Sequence, residues 1–330
     1  MARLFPHPQD NYPVVHIEAA DLDLPHHVRN ADLRYTHFKT IARGGKCLIQ
    51  SCRDYHLSRV VAYKSLLKEI ADDPFEQQRF LREARVTAML QHPNTIPIYE
   101  LSRNSHGHYF FTMKLVEGYT LREVLDLAVE EGTQAVDSYG FHRIVTLLIQ
   151  VANALDYAHS HGVVHRDVKP ANVLMGPFGE VLLLDWGLAK VWSENPEEVP
   201  DLPMLSDADP SLTAQGKLQG TAHYMSPEQV DRRPDLDHRS DLYSMGALLY
   251  EVLAGQTLFE GEKVEEILQQ ILQSEVPPPS EVALDREIPA ALERICLRCL
   301  AKDPGERIQS ARQLVAELRA WRLRWSAEQS

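Results

Sequence analysis

The stretch His165-Arg166-Asp167-Val168-Lys169-Pro170-Ala171-Asn172 places a carboxylate, an ammonium and an amide side chain within one short loop. It follows a segment in which Ile144, Leu147, Leu148, Val151, Leu155 and Ala158 repeat at helical spacing, and Gly162 supplies the stop. A buried helix therefore delivers the chain into a polar loop. Thirteen residues past Asn172 stands Asp185-Trp186-Gly187, behind the apolar run Val181 to Leu184. That run predicts a short strand, with the Asp185 carboxylate at its end as a hard oxygen ligand for a divalent cation.

Toward the N-terminus, β-prone runs (His37 to Ala42, Leu48 to Cys52, Arg59 to Lys64) alternate with Gly, Arg and Asp turn signals and predict an antiparallel meander. Phe75 to Gln91 reads as one amphipathic helix, with Phe80, Ala84, Val86, Met89 and Leu90 available to pack. Two further β-prone runs, Ile96 to Ser102 and His108 to Leu115, precede a break at Glu117-Gly118. Beyond Thr120 helices dominate. The last is expected to open on a capping box of Ser310 and Gln313 and to be anchored by Leu314, Leu318 and Trp321. The fold class is α+β, a β-rich part with one main helix followed by a helical part.

Taken as a set, these residues resemble the bacterial eukaryotic-like (Hanks-type) serine/threonine protein kinases. H-R-D-x-K-P-x-N matches their catalytic loop, and Asp185-Trp186-Gly187 matches the D-F-G element with Trp in place of Phe. Val61-Ala62-Tyr63-Lys64 matches V-A-I-K, and Ser226-Pro227-Glu228 matches A-P-E. The resemblance runs from about Tyr35 to Leu318. It implies a bilobal protein-kinase fold, with a small antiparallel β-rich N-lobe over 34–116 and a larger, mainly helical C-lobe over 117–322. An extended leader over 1–33 and a short tail over 323–330 complete the expected organisation.

The resemblance also implies ATP and Mg²⁺ as cofactors and proteins bearing Ser or Thr as substrates, with autophosphorylation through a transient homodimer. Asp167 would accept the substrate hydroxyl proton, Lys169 would partner the γ-phosphate, and Asn172 and Asp185 would ligate Mg²⁺. Lys64 would hold the α- and β-phosphates, with Glu83 as its ion-pair partner. The adenine ring would lie between Ala62 and Ile49 above and Leu174 below, against the hinge backbone at Lys114 and Val116 behind Met113. Arg166 is expected to pair with a phosphorylated Ser211 or Thr213, because a phosphate orders a loop through Arg contacts. Thr221 is expected near the substrate hydroxyl, Asp241 at the start of a C-lobe helix, and Arg307 against Glu228.

The phosphate-covering loop departs from the family's G-x-G-x-x-G-x-V. It reads Ile41-Ala42-Arg43-Gly44-Gly45-Lys46-Cys47-Leu48-Ile49, which keeps Gly44 in register and follows it with Gly45. Ala42 and Cys47 stand where the outer glycines would, and each adds a Cβ where backbone N–H groups approach phosphate. A nucleotide-binding scaffold without catalysis is the alternative that this loop leaves. Cys47, beside Lys46, is expected to be a reachable thiol.

Composition excludes several other classes. The 330 residues are 44% apolar and 25% charged, the balance of a folded globular chain. With 34 Lys plus Arg against 47 Asp plus Glu, the formal charge is −13, which provides no broad basic field for nucleic acid or anionic lipid. Four cysteines are too few for a disulfide framework and point to the cytoplasm. No run approaches the roughly 20 apolar residues that span a bilayer. The acidic stretch 191–216 carries no Lys or Arg and is expected to be a mobile insert in the activation segment. Cys296-Leu297-Arg298-Cys299 reads as helix packing rather than a metal or redox pair, and His159 and His161 as residues flanking a helix end.

Overall fold

The computed structural model describes residues 34–130, 134–191 and 220–328. The expected leader over 1–33, the acidic segment beyond residue 191 and the hydroxyls of Ser211 and Thr213 lie outside them.

Strands β1 (Tyr35–Arg43), β2 (Cys47–Asp54), β3 (Arg59–Leu66), β4 (Ile98–Arg103) and β5 (Tyr109–Met113) form an antiparallel sheet of order β1-β2-β3-β5-β4. Successive side chains of a strand point to opposite faces. Val61 and Tyr63 therefore pack on one face with Cys52 and Phe110, where the Tyr63 and Phe110 rings stack at 4.4 Å. Lys64 and Leu66 point to the other face, where Leu66 and Phe111 meet Phe80 and Ala84 of helix α1 (Pro74–Met89). Asp73 caps α1, accepting the Phe75 and Glu76 N–H groups, and Pro74 occupies its first turn. Met89, expected to pack, is instead 50% exposed. It lies nine residues after Phe80, about two and a half turns, and so on the opposite side of the helix.

The second part is mainly helical. Short strand β6 (Tyr119–Thr120) leads into α2 (Leu121–Glu130) and α3 (Gln134–Ser160). Gly162, at φ 68°, ends that helical run in the left-handed conformation that suits glycine. Strands β7 (Val163–Val164), β8 (Val173–Met175), β9 (Val181–Leu183) and β10 (Lys190–Val191) follow, then helices α4 (Pro227–Val230), α5 (Arg239–Ala254), α6 (Val264–Gln273), α7 (Pro279–Val282), α8 (Ala290–Cys299) and α9 (Ala311–Glu328). Of these only β9 follows a readable apolar run, as expected for Val181 to Leu184; the two- and three-residue strands β6, β7, β8 and β10 have too little pattern to be read from sequence. They exist because β8 pairs with β6 and β9, and β7 with β10.

The core of this part is built on α3 and α5, where Leu148, Val151, Leu155, Leu242 and Leu248 are fully buried. Cys296 and Cys299 are free thiols on α8 packed against α5, and a Cβ at Gly246 would stand 2.6 Å from the Cys299 Cβ. At the end of α9 the expected tail continues as helix to Glu328, with Trp325 stacked on Trp321 at 5.5 Å. Ser310 accepts the Gln313 N–H at its start, but the Gln313 side chain accepts from Gln309 N–H rather than closing a capping box on Ser310.

Gly118 sits where the two parts meet. A Cβ there would fall 2.0 Å from the Met175 carbonyl oxygen, so the close approach of the connecting strand to β8 requires glycine. Asn94 ties the parts together from the other side, donating to Gln150 Oε1 at 3.1 Å and to the Val181 carbonyl at 2.8 Å.

Candidate active site

The polar loop after α3 is held at both ends by backbone bonds. Asp241, in the first turn of α5 and fully buried, accepts the His165 and Arg166 N–H groups at 2.8 Å each and the His159 Nε2 at 2.8 Å. Burial works against its negative charge, but His159 and the other donors outweigh this and hold the carboxyl below its ordinary range. Arg166 is thereby fixed at φ 68°, a left-handed conformation that a non-glycine residue adopts at a cost of about 1–3 kcal/mol. The Asp167 N–H donates to His165 Nδ1 at 3.2 Å, so that nitrogen is an acceptor and the proton sits on Nε2, which donates to the Leu184 carbonyl at 3.0 Å. One histidine thus connects the loop to the chain leading into Asp185.

Beyond it the functional groups converge. The Lys169 ammonium lies 2.8 Å from both Asp167 carboxylate oxygens and 2.7 Å from Thr221 Oγ1. Asn172 donates through Nδ2 to the Asp167 carbonyl and to Asp167 Oδ2, so its amide oxygen points away from the Asp167 carboxylate as an acceptor. Burial raises the Asp167 carboxyl above its ordinary range, Lys169 opposes this and Asp185 adds to it. Asp185 also has a left-handed backbone, φ 62°, and accepts the Gly187 N–H at 3.3 Å. Trp186 is fully buried beneath it, edge-on to His165 at 4.4 Å.

From above, Lys64 on β3 forms an ion pair with Glu83 of α1. Burial pulls the ammonium down, but Glu83 and Asp185 more than offset this and keep it charged well above neutral pH. Lys64, Glu83, Asp167, Lys169, Asp185 and Thr221 line one cleft of about 390 Å³, roofed by residues 42–47 and Ile49. The cleft is the polar end of the expected nucleotide site. Ala62, Met113, Lys114, Val116 and Leu174 do not line it, although Ala62 pairs directly with Met113 across β3 and β5. The Lys114 side chain turns from the hinge to Glu180 at 3.2 Å. Ile41 is 51% exposed.

Residues 35–318 match the model of the protein kinase domain. The chain belongs to the protein kinase family. Among its relatives, the serine/threonine-protein kinase PknD of Protochlamydia amoebophila is 33% identical over 290 residues, covering 86% of this chain and 29% of that protein. The serine/threonine-protein kinase pkn3 of Myxococcus xanthus is 36% identical over 286 residues, covering 85% of this chain and 48% of its own length. A probable serine/threonine-protein kinase of Streptomyces coelicolor is 34% identical over 290 residues, covering 87% and 40%. The chain places itself in the bacterial Hanks-type branch, and it spans between about three tenths and half of these relatives.

Several residues that hold the walls of this cleft have no signal in the sequence. His159, taken for a helix-end residue, is bonded to Asp241. Gln229 holds the Arg166 carbonyl at 2.8 Å. Glu251 on α5 accepts both Tyr224 Oη and Arg122 Nη1 at 2.5 Å, fixing the stretch after Thr221. None has a local signal, because each acts across at least 27 residues of sequence. Arg307 reaches Glu228 with two parallel bonds, 2.6 and 2.7 Å, both side chains being buried.

Proposed function

We propose that the chain is an ATP-dependent serine/threonine protein kinase that transfers the γ-phosphate of Mg·ATP to Ser or Thr hydroxyls of proteins, its own activation segment included. The observation that carries this reading is the convergence on one cleft of the Lys64–Glu83 ion pair, the Asp167–Lys169–Thr221 cluster and Asp185. Asp167 orients the attacking hydroxyl and takes its proton, Lys169 faces the transferring phosphoryl, and Lys64 holds the α- and β-phosphates. Asn172 and Asp185 would hold Mg²⁺, which supplies charge neutralisation on the phosphates. No three His, Cys, Asp or Glu side chains form a metal cage among the described residues, and Mg²⁺ needs none, taking one or two protein oxygens together with phosphate.

Adenine recognition falls to Ala62, Ile49, Leu174 and the backbone of Lys114 and Val116. Arg166 is the partner for a phosphorylated Ser211 or Thr213, and a transient homodimer is the vehicle for that modification. The four cysteines, none of them in a disulfide, support a reducing, cytoplasmic setting, and among the described residues no helix is long and apolar enough to cross a membrane. A non-catalytic scaffold would have no use for a base, a phosphate-facing lysine and a cation ligand in one cleft.

The test is incubation of the purified chain with γ-labelled ATP, Mg²⁺ and a generic basic protein, followed by phosphoamino-acid analysis. Label on phosphoserine or phosphothreonine is the expected result. Nucleotide binding without any transfer would establish the scaffold reading instead.

A further inference from the structure

We propose that Lys46 and Glu76 form a latch that holds the phosphate loop closed onto α1 before nucleotide arrives, and that both are positioning residues for ATP. This rests on the kinase reading of the cleft. Lys46 stands at the tip between β1 and β2, where its carbonyl accepts the Leu67 N–H at 2.9 Å. Its side chain does not extend into solvent. It turns back along the cleft to place Nζ 2.5 Å from Glu76 Oε1, with side-chain exposures of only 26% and 13%.

The position of Glu76 on α1 gives the contact its significance. Glu76 and Glu83 are seven residues apart, about two helical turns, and so share one face. Glu83 holds Lys64, Glu76 holds Lys46, and Phe80 between them packs with Leu66, Phe111 and Cys47. Two ion pairs in line thus tie a single helix face to the strand beneath the phosphates and to the loop above them. Lys46, Cys47, Lys64, Glu76, Phe80 and Glu83 all line the same cleft.

The altered loop explains why such a tie is useful. With Ala42 and Cys47 in place of the outer glycines, backbone N–H groups approach phosphate less freely, and a loop ordered only by the ligand would weaken binding. Apparent affinity is the intrinsic affinity multiplied by the fraction of molecules whose loop is already competent, so it falls as that fraction falls. An ion pair with most of both side chains shielded from water raises that fraction. Arg43 and Glu69 provide a comparison on the same rim: they stand 3.8 Å apart with 65% and 69% of their side chains exposed, where solvent screening leaves little attraction. The N-terminal turn of α1 favours a carboxylate at Glu76 with or without Lys46. That preference does not account for the direction of the lysine.

The experiment compares Lys46→Met, Glu76→Gln, the exchange Lys46→Glu/Glu76→Lys and the control Glu69→Gln in the full 330-residue chain. Two quantities are read: kcat and KM for Mg·ATP, and hydrogen exchange of the amides of residues 43–47 without nucleotide. The expected result is a rise in KM of about fivefold, equivalent to about 1 kcal/mol, in both single variants, with kcat within about twofold. Faster exchange of the loop should accompany it, with recovery of both quantities in the exchange variant and no change in the control. Unaltered KM and exchange in the single variants would overturn the proposal. So would a Glu76→Gln variant with lowered KM, which would make Lys46 a direct phosphate ligand that Glu76 restrains. If the wild-type chain transfers no phosphate, the kinase reading fails alone, and the exchange data still decide whether the latch exists.

Discussion

The lower and upper walls of the cleft are built differently. Below, Asp167 is 7% exposed, its loop is anchored through two backbone N–H groups on a fully buried Asp241, and its side chain is held by both Lys169 and Asn172. Above, the phosphate loop is a hairpin tip with half-exposed neighbours, tied to the chain beside it by the Leu67 N–H bond to the Lys46 carbonyl and to α1 by the Lys46–Glu76 ion pair, while Lys64 on β3 beneath it pairs with Glu83. The lower wall is set by buried hydrogen bonds that tolerate little displacement, and the upper by charges on flexible stems. Damage to the two should accordingly appear in different quantities: turnover and stability below, nucleotide affinity above.

The largest effect that would sharpen this contrast is expected at Asp167. Asp167→Asn removes the proposed proton acceptor and leaves Lys64, Glu83 and Asp185 in place, so kcat should fall about a thousandfold with ATP affinity within about twofold. Near-normal turnover in that variant would break the assignment of the lower wall. Next comes its foundation. Arg307→Met leaves Glu228 buried without its two-bond partner, and a loss of about 3–5 kcal/mol is expected in chemical denaturation. A loss below about 1 kcal/mol would mean that the pair does not carry the fold there.

A smaller effect concerns pH. Burial, opposed by Lys169 and supported by Asp185, raises the Asp167 carboxyl. Because the ionised form is the active one, activity should be lost as pH falls through this raised value, earlier than for an ordinary aspartate. A kcat/KM profile that is flat down to the ordinary aspartate range would contradict that environment.

The smallest effect lies in the upper wall. Cys52 and Cys299 are pushed up to about 12 by burial, and buried Cys296 is raised well above its ordinary value, while Cys47 lines the cleft. A mild alkylating reagent should therefore modify Cys47 first, and Mg·ATP should protect it. Cys47→Gly should lower KM for ATP by no more than about twofold, through removal of one Cβ near phosphate. Equal labelling of Cys47 with and without Mg·ATP would show that the loop does not cover the nucleotide.

What the sequence made legible follows the same division. The catalytic loop, Asp185 and Lys64 are readable because their spacing is local and each sits at the end of an apolar run with a clear period. The groups that hold them are not. Asp241 reaches His165 and Arg166 across 76 and 75 residues, Arg307 reaches Glu228 across 79, and Lys46 reaches Glu76 across 30. The Arg307–Glu228 pair follows from the resemblance, while the Asp241 clasp and the Lys46 contact have no sequence signal. Met89 is exposed although it sits beside buried Leu90, because a run of apolar residues at a helix end does not by itself say which face each occupies.

The most direct test measures phosphate transfer and nucleotide affinity side by side in the wild-type chain, Asp167→Asn and Lys46→Met. The account predicts that Asp167→Asn loses transfer and keeps its affinity, whereas Lys46→Met loses affinity and regains nearly full turnover at saturating Mg·ATP. If both variants fail in the same quantity, the separation between a fixed lower wall and a charge-fastened upper wall is wrong.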